Sequence, residues 1–572
     1  MKKTNDWRIY FVFGFIILVG AAILSRLFFL QILEHKHFQA QALGQQMGFS
    51  NIIGERGQIF SVLSQEAKGD TGFGEIKSLA VNKDNWAISV DLYNVEDKNA
   101  LAKDLCEVIG MEEDEIASKL NGEEKYVVLK RGLSSEDLDR IKELNLPGLS
   151  WQNNCDRFYP QGEFLSQTLG FFGGEGYGQY GLEGYYDDIL QGKSGIKEEK
   201  KGLGSIFSFG EEVSLDGSDL YLTIDCNIQF QAEALLKKAK ENLNIEGGQI
   251  IVTKPDSGRI LALADLPTFD PNFYYKQKNL EIFQNGAVQK LFEPGSIMKP
   301  ITMASALNEK KITPDTVYTD YGSVSLSTKT IHNFNNKIYG EQTMTQVLEN
   351  SINTGAVYAQ QQIGNKKFFS YIEKFGFTEK TGVDIQGEVY SRNDNLKNGP
   401  DINFATASFG QGIELTPIQL VRAFSAFANN GKMSKPYIVQ KIVSGSDQKE
   451  TVPEISEQIV SQETISQLTS MLVNVVENGF DKATKIPGYY LAGKTGTAQV
   501  PLKNKKGYDE NKTIQSFIGF GPAFDPEFLI FVKLDDPKIS SSSLSALPVF
   551  KELAQYIINY WKIPPDYDVS AE

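Results

Sequence analysis

Hydrophobic and polar positions change rhythm twice along the chain, and each change marks a candidate boundary. Residues 9–25 (IYFVFGFIILVGAAILS) carry no charge and follow Lys2, Lys3 and Arg8. As a helix, this 17-residue run rises roughly 25 Å, the short end of a bilayer span. Residues 26–33 prolong it towards the interface while Arg26 snorkels. Basic residues on the short N-terminal side place that end in the cytoplasm and the remainder outside. A cleaved signal peptide is the competing expectation, since Gly20-Ala21-Ala22 would suit cleavage, but the apolar stretch continues past them. Residues 1–8 are then a cytoplasmic tail and 9–33 a transmembrane anchor.

From residue 34 to 215 short apolar runs, Gly-rich turns and charged helical patches alternate. The spacing predicts helices over 102–120 and 136–146 and strands over 86–90 and 126–129, a mixed α+β region. Near residue 216 the pattern becomes regular. Residues 220–225 read as a strand ending on Asp225, which caps a helix over 229–242. Residues 249–253 and 260–264 flank Lys254-Pro255-Asp256-Ser257-Gly258-Arg259 and predict an antiparallel hairpin. Pro294-Gly295 then turns the chain into a helix carrying Ile301, Met303, Ala304, Ala306 and Leu307. The fold class expected from 216–565 is an antiparallel sheet with helices packed around it; residues 566–572 form a C-terminal tail.

A length of 572 residues suggests roughly three to four domains. A net charge of −15 offers no basic stripe for phosphates and argues against a nucleic-acid partner. The three cysteines, Cys106, Cys155 and Cys226, lack metal spacing and make no disulfide framework. The three histidines, His35, His37 and His332, read as surface residues, so a Ser-His-Asp triad is poorly supported.

The candidate chemistry lies at Ser296-Ile297-Met298-Lys299. Near a helix N-terminus a serine faces free N–H groups, and a lysine three residues on shares its face and can act as its base. Ser194/Lys197 and Ser446/Lys449 share that spacing, so the downstream order decides. Ser351-Ile352-Asn353 follows a helical stretch over 344–350, 55 positions beyond Ser296, and Lys494-Thr495-Gly496-Thr497 lies another 143 positions on. The last stretch favours a strand, and Gly493 and Gly496 are expected to leave room for a peptide substrate adding to the sheet edge. Ser391-Arg392-Asn393 and Lys380-Thr381-Gly382 repeat the second and third motifs in reversed order within turn-rich sequence, and read as surface loops.

Ordered S-x-x-K, S-x-N and K-T-G-T is the active-site set of penicillin-binding proteins and serine β-lactamases. Three N-terminal stretches narrow the resemblance: Glu55-Arg56-Gly57-Gln58-Ile59, Arg157-Phe158-Tyr159-Pro160-Gln161-Gly162 and Gly178-Gln179-Tyr180-Gly181-Leu182-Glu183. They resemble the R-G-x-I, R-x-Y-P-x-G and G-x-x-G-x-E motifs of class B penicillin-binding proteins. Gly410-Gln411-Gly412, Thr416-Pro417 and strands over 516–521 and 527–534 also match.

The resemblance implies a multidomain chain: the transmembrane helix, an α+β pedestal of the dimerisation type over 34–215, and a C-terminal α/β transpeptidase domain of the penicillin-binding/β-lactamase-like kind with a central antiparallel sheet flanked by helices. It implies a D,D-transpeptidase of the bacterial cytoplasmic membrane, single-pass, with the catalytic domain outside. Ser296 would be the nucleophile and Lys299 its base, neutral because burial and the cation Lys494 lower its pKa. Ser351 would relay a proton to the departing D-alanine, and Asn353 would hold Lys299 and the substrate amide. Lys494, Thr495, Gly496 and Thr497 would bind substrate, with the backbone N–H groups of Ser296 and Thr497 as oxyanion hole. Arg56, Arg157 and Glu183 would be structural, a buried charge cluster. No metal or cofactor is called for. Implied partners are stem peptides of lipid II-derived glycan, β-lactams as covalent inhibitors, a SEDS-family membrane glycosyltransferase and divisome proteins.

Glu293-Pro294-Gly295-Ser296 resembles the division branch, whose members often read E-P-G-S, more than the elongation branch, which often reads P-P-G-S. A class A β-lactamase is disfavoured because no Glu-x-x-Leu-Asn run lies between Asn353 and Lys494. A sensor or scaffold that only binds β-lactam or wall peptide is the rival from another class.

Overall fold

The structure, a computed structural model, describes residues 20, 49–52, 54–62, 76–122, 125–153, 156–193, 195–198, 216–326, 329–479, 485–502 and 507–568. The expected cytoplasmic tail, the anchor apart from Gly20, His35, His37, Cys155, Ser194 and the last four residues lie outside that set. Among the described residues no helix is long and apolar enough to cross a membrane.

Two compact units are present: residues 1–56 with 191–217, and residues 57–190 with 218–572. In the first, Phe49–Ile52 pairs antiparallel with Gly195–Glu198. The backbone N–H of Glu55 donates to Asp216 at 2.9 Å, and Arg56 belongs here.

The second unit is built on two sheets. The six-stranded sheet uses β1 (Ile59–Val62), β2 (Ile76–Lys83), β3 (Asp156–Phe158) and β4 (Asp219–Leu222). The five-stranded sheet contains β5 (Gly247–Thr253) and β6 (Ile260–Leu266); β7 (Val439–Ser444) and β8 (Asp447–Glu450) return to the first sheet. β9 (Ala492–Pro501), β10 (Tyr508–Gly521) and β11 (Phe528–Asp535) complete the second. The orders are β8-β7-β4-β1-β2-β3 and β6-β5-β11-β10-β9. β4 and β1 run parallel; every pair in the five-stranded sheet is antiparallel, as the hairpin and late strand patterns predict.

Alternation along these strands sends side chains to two cores. Ile250, Val252, Ile530 and Val532 face α1 (Cys226–Leu243) and the last helix, with Leu235, Leu236, Phe550 and Leu553. Ile251, Phe531 and Ile518 face the opposite layer, with α2 (Met298–Asn308) and its Ile301, Met303 and Ala304. Asp225 caps α1 by accepting from the N–H groups of Asn227 and Ile228.

The second core does not stop at residue 216. Ile59, Leu79, Tyr159, Phe171 and Leu182 belong to the same cluster as the helices around the catalytic segment. A separate small core forms where a sheet of Trp86–Asp91, Tyr126–Leu133 and Leu149–Asn153 packs on helices. The helix expected over 102–120 is two helices, Lys98–Ile109 and Glu113–Leu120. Gly110, at φ +58°, caps the first in the left-handed region and ends it.

Arg157 and Glu183 meet as a buried ion pair, Nε to Oε1 2.7 Å, with side chains 2% and 0% exposed. The Tyr159 hydroxyl donates to the same carboxylate at 3.1 Å, and Arg157 also donates to Asn82. The expectation of a buried charge cluster holds for these two residues.

Candidate active site

The nucleophile turn is held from three sides. Phe292 and Leu415 exchange backbone hydrogen bonds at 2.9 and 3.0 Å, and the N–H of Gly295 donates to the carbonyl of Gly410 at 3.0 Å. Glu293, buried, accepts from the Gly412 N–H at 3.0 Å and from the Tyr508 hydroxyl at 3.1 Å. Burial raises its carboxyl pKa. Glu293 is thus a tether between the nucleophile turn and β10, a role that its sequence context does not reveal.

Gly410 sits at φ +82°, and a Cβ there would come within 2.1 Å of the Gly295 carbonyl oxygen and 2.5 Å of its nitrogen. Both contacts are backbone, so neither side chain nor rotamer can give way. A Gly410→Ala protein is expected to lose about 10²-fold in acylation rate through displacement of Ser296, checked by the time course of fluorescent-penicillin labelling.

Ser296 occupies a 3₁₀ turn, Gly295–Ile297, that runs straight into α2. Ser296 thus lies near the N-terminus of α2, as expected, and the turn brings Lys299 onto the serine. Lys299 Nζ lies 3.1 Å from Ser296 Oγ, 3.0 Å from Ser351 Oγ and 2.5 Å from the Ser351 carbonyl oxygen. Its side chain is 0% exposed. Burial, and secondarily the charge of Lys494, hold its pKa well below the ordinary lysine range. Ser351 stands at φ +52° between the helix Met344–Glu349 and α3 (Asn353–Ile363).

Of the two contacts expected of Asn353, the one to Lys299 is not made. Asn353 opens α3, and its Nδ2 donates to the backbone carbonyl of His332 at 3.1 Å. The bonds of Lys299 go instead to Ser296 and Ser351.

The third motif lies on β9, the edge strand of the five-stranded sheet. Lys494 Nζ donates to Thr495 Oγ1 at 3.2 Å and is 1% exposed; burial pushes its pKa down to about 7. The carbonyl oxygen of Thr497 lies against Gly295, where an added Cβ would approach it to 2.6 Å. In an extended strand the N–H and C=O of one residue share an edge, so the Thr497 N–H also points off the sheet on the side of Ser296. The two glycines make room for close contacts within the chain itself. A Cβ at Gly496 would meet Ile297 Cγ1 at 2.9 Å and the Pro294 carbonyl at 3.0 Å, and one at Gly493 the Phe517 ring at 2.6 Å. Gly496 thus admits this chain's own nucleophile turn, and Gly493 the ring of Phe517 on the neighbouring strand.

Thr497 Oγ1 is 2.9 Å from the buried Ser542 hydroxyl. Ser542 lies in a serine-rich run that reads as an ordinary polar loop, and no signal in the sequence marks it.

The repeated motifs, expected on surface loops, instead tie turns into the interior: Thr381, Glu388 and Asn393 are buried. The N–H and hydroxyl of Thr381, with the N–H of Gly382, bond the Glu388 carboxylate. Asn393 bonds the carbonyls of Phe377 and Glu414. Ser446 and Lys449 are exposed between and on β7 and β8.

A family model described as the penicillin-binding protein transpeptidase domain matches residues 248–555. The chain belongs to the penicillin-binding protein family. A second model, the penicillin-binding protein dimerisation domain, matches residues 73–222, and the pair of domains marks a class B member and a serine D,D-transpeptidase. Stage V sporulation protein D of Bacillus subtilis is 36% identical over 474 residues, covering 80% of this chain and 73% of that protein. Peptidoglycan D,D-transpeptidase FtsI of Buchnera aphidicola is 29% identical over 586 residues, covering 99% and 97%. Among solved structures, penicillin-binding protein 3 of Mycobacterium tuberculosis superposes with a TM-score of 0.65 at 27% identity, over 73% of this chain and 93% of that one. Penicillin-binding protein 2X of Streptococcus thermophilus, at 22% identity, shares the fold with a TM-score of 0.75 over 90% and 81%.

Proposed function

We propose that this transpeptidase cross-links peptidoglycan stem peptides through a Ser296 acyl-enzyme, outside the cytoplasmic membrane, in septal wall synthesis. The observation that carries the chemistry is that the Nζ of buried Lys299 reaches both Ser296 Oγ and Ser351 Oγ.

Ser296 Oγ attacks the carbonyl carbon of the terminal D-Ala–D-Ala bond, and its proton passes to neutral Lys299. The developing oxyanion faces the N–H groups of Ser296 and Thr497. The C–N bond breaks, and Ser351 delivers a proton to the D-alanine amine. An acceptor amine from a second stem peptide then attacks the ester, and the proton it sheds restores Ser296. Lys494 and Thr495 engage the terminal carboxylate, with Gly496 seating the strand against the nucleophile turn, and Asn353 lies beside the substrate amide. A β-lactam enters the same path and stays as a stable ester; M. tuberculosis penicillin-binding protein 3 has been solved with aztreonam and with ampicillin, which supports that reading.

The uncharged run 9–25 behind Lys2, Lys3 and Arg8 supports a single-pass anchor with the N-terminus in the cytoplasm. The region 34–215 is proposed as pedestal and docking surface for a SEDS-family glycosyltransferase and divisome proteins, 216–565 as the catalytic region. Relatives named FtsI and the Glu293-Pro294-Gly295-Ser296 sequence support the septal assignment. The name of the B. subtilis relative supports a second reading, wall synthesis in a sporulation programme; a fluorescent fusion followed through growth separates the two by site and timing. For the chemistry, the full chain is given lipid II and a glycan polymerase. Dimeric cross-linked muropeptides are expected; release of D-alanine by hydrolysis alone would sink the transpeptidase reading.

A further inference from the structure

We propose that Asp320 is a positioning residue for the reaction: through Thr354 and Asn333 it sets the place of Ser351 against Lys299. Asp320 ends the strand Val317–Asp320, which pairs with Gly340–Thr343 in a ribbon lying between α2 and Ser351 in the chain. It is 1% exposed. Its Oδ1 accepts from the Gly322 N–H at 3.0 Å, Asn333 Nδ2 at 3.0 Å and the Thr354 hydroxyl at 2.7 Å. Its Oδ2 accepts from Asn333 Nδ2 at 2.9 Å and the Tyr339 N–H at 2.8 Å.

That ribbon and the segment between its two strands hold both flanks of Ser351. On the C-terminal side Asn333 Oδ1 accepts from the Thr354 N–H at 3.1 Å, the Tyr318 hydroxyl lies 2.8 Å from that of Thr354, and the His332 carbonyl accepts from Asn353. On the N-terminal side the Tyr339 hydroxyl donates to the carbonyl of Asn350 at 3.4 Å. Ser351 itself is in the left-handed region, which a non-glycine residue keeps only where its surroundings over-determine it. Both of its oxygens are the acceptors nearest Lys299. A carboxylate buried for five hydrogen bonds, one residue layer behind the proton relay, therefore holds the wall against which the lysine is aimed. Those hydrogen bonds outweigh burial and keep Asp320 ionised below the ordinary aspartate range.

The proposal rests on Ser296 being the acylated residue, and the experiment separates the two. Full-length wild type and Asp320→Asn, Thr354→Val and Thr354→Ser variants are titrated with a fluorescent penicillin, resolving the first-order acylation constant from the dissociation constant of the prior complex, across pH. Asp320→Asn turns an acceptor into a donor facing Asn333 Nδ2 and the Tyr339 N–H. Asp320→Asn and Thr354→Val are expected to slow acylation about 10²-fold, the scale of a small misplacement of reacting groups. The dissociation constant should hold within about threefold, and the acidic limb of the rate profile should move as Lys299 loses its acceptors. Thr354→Ser should recover most of the rate. Wild-type acylation with an unchanged rate or limb in Asp320→Asn would overturn the proposal, as would a Thr354→Ser protein as slow as Thr354→Val. If Asp320→Asn does not fold, the Thr354 pair decides alone. A wild type that penicillin does not label would instead remove the reading beneath it.

Discussion

Lys299→Met is expected to fold, to bind penicillin, and to acylate Ser296 about 10²–10⁴-fold more slowly, the usual worth of a positioned general base. The side chain is fully buried and hydrogen-bonded to both serines, so an unbranched apolar replacement keeps the packing and removes only the proton acceptor. Its pH behaviour follows from the sign of the shift. A lysine whose folded pKa is depressed binds fewer protons than the unfolded chain at neutral pH, so its contribution to stability rises with pH up to roughly 10.4. Lys299→Met should therefore be the more stable protein at pH 7, by a margin that narrows towards alkaline pH in chemical denaturation. In the wild type, acylation rises as Lys299 deprotonates. It falls again as Lys494, with its pKa near 7, loses the charge that attracts the substrate carboxylate. The expected kcat/KM profile is a bell, its limbs belonging to the lysine pair jointly, and Lys299→Met should lose the acidic limb.

Arg157→Met is expected to destabilise the protein by about 3–5 kcal/mol, because it strands the Glu183 carboxylate in the core. Both side chains are essentially inaccessible, and the carboxylate also takes the Tyr159 hydroxyl. The pair lies in the core that the pedestal shares with the catalytic helices, so unfolding in urea should show one transition at lower midpoint. Penicillin labelling below that midpoint should stay within about threefold of wild type. Adding Glu183→Leu should recover part of the loss, since an apolar pair needs no desolvated charge.

The residues of the site that could be read in advance are those whose chemistry depends on spacing within one element. Ser296 and Lys299 are three apart on one turn; Lys494 to Thr497 follow along one strand. Turn and capping signals placed the hairpin around Lys254-Pro255-Asp256-Ser257-Gly258-Arg259 and the cap at Asp225 for the same reason. What escaped depends on approach between distant segments. Asp320 meets Thr354 across 34 positions, Glu293 meets Tyr508 across 215, and Thr497 meets Ser542 across 45. None of these carries a local pattern. Gly496 shows the subtler failure: its small size signals a close backbone approach, but not whose backbone. Gly110 shows that one left-handed cap divides an apolar periodicity that otherwise reads as continuous.

The parallel pairing of β1 with β4 has a mechanical side. The N–H of Leu220 donates to Gln58 at 2.8 Å, and β4 leads within three residues to the aspartate at the head of α1, beneath the catalytic sheet. A pull on Ile59 is therefore a pull on Leu220, carried by main-chain bonds loaded in shear. Whatever grasps the outer strands holds the catalytic half by the same rope.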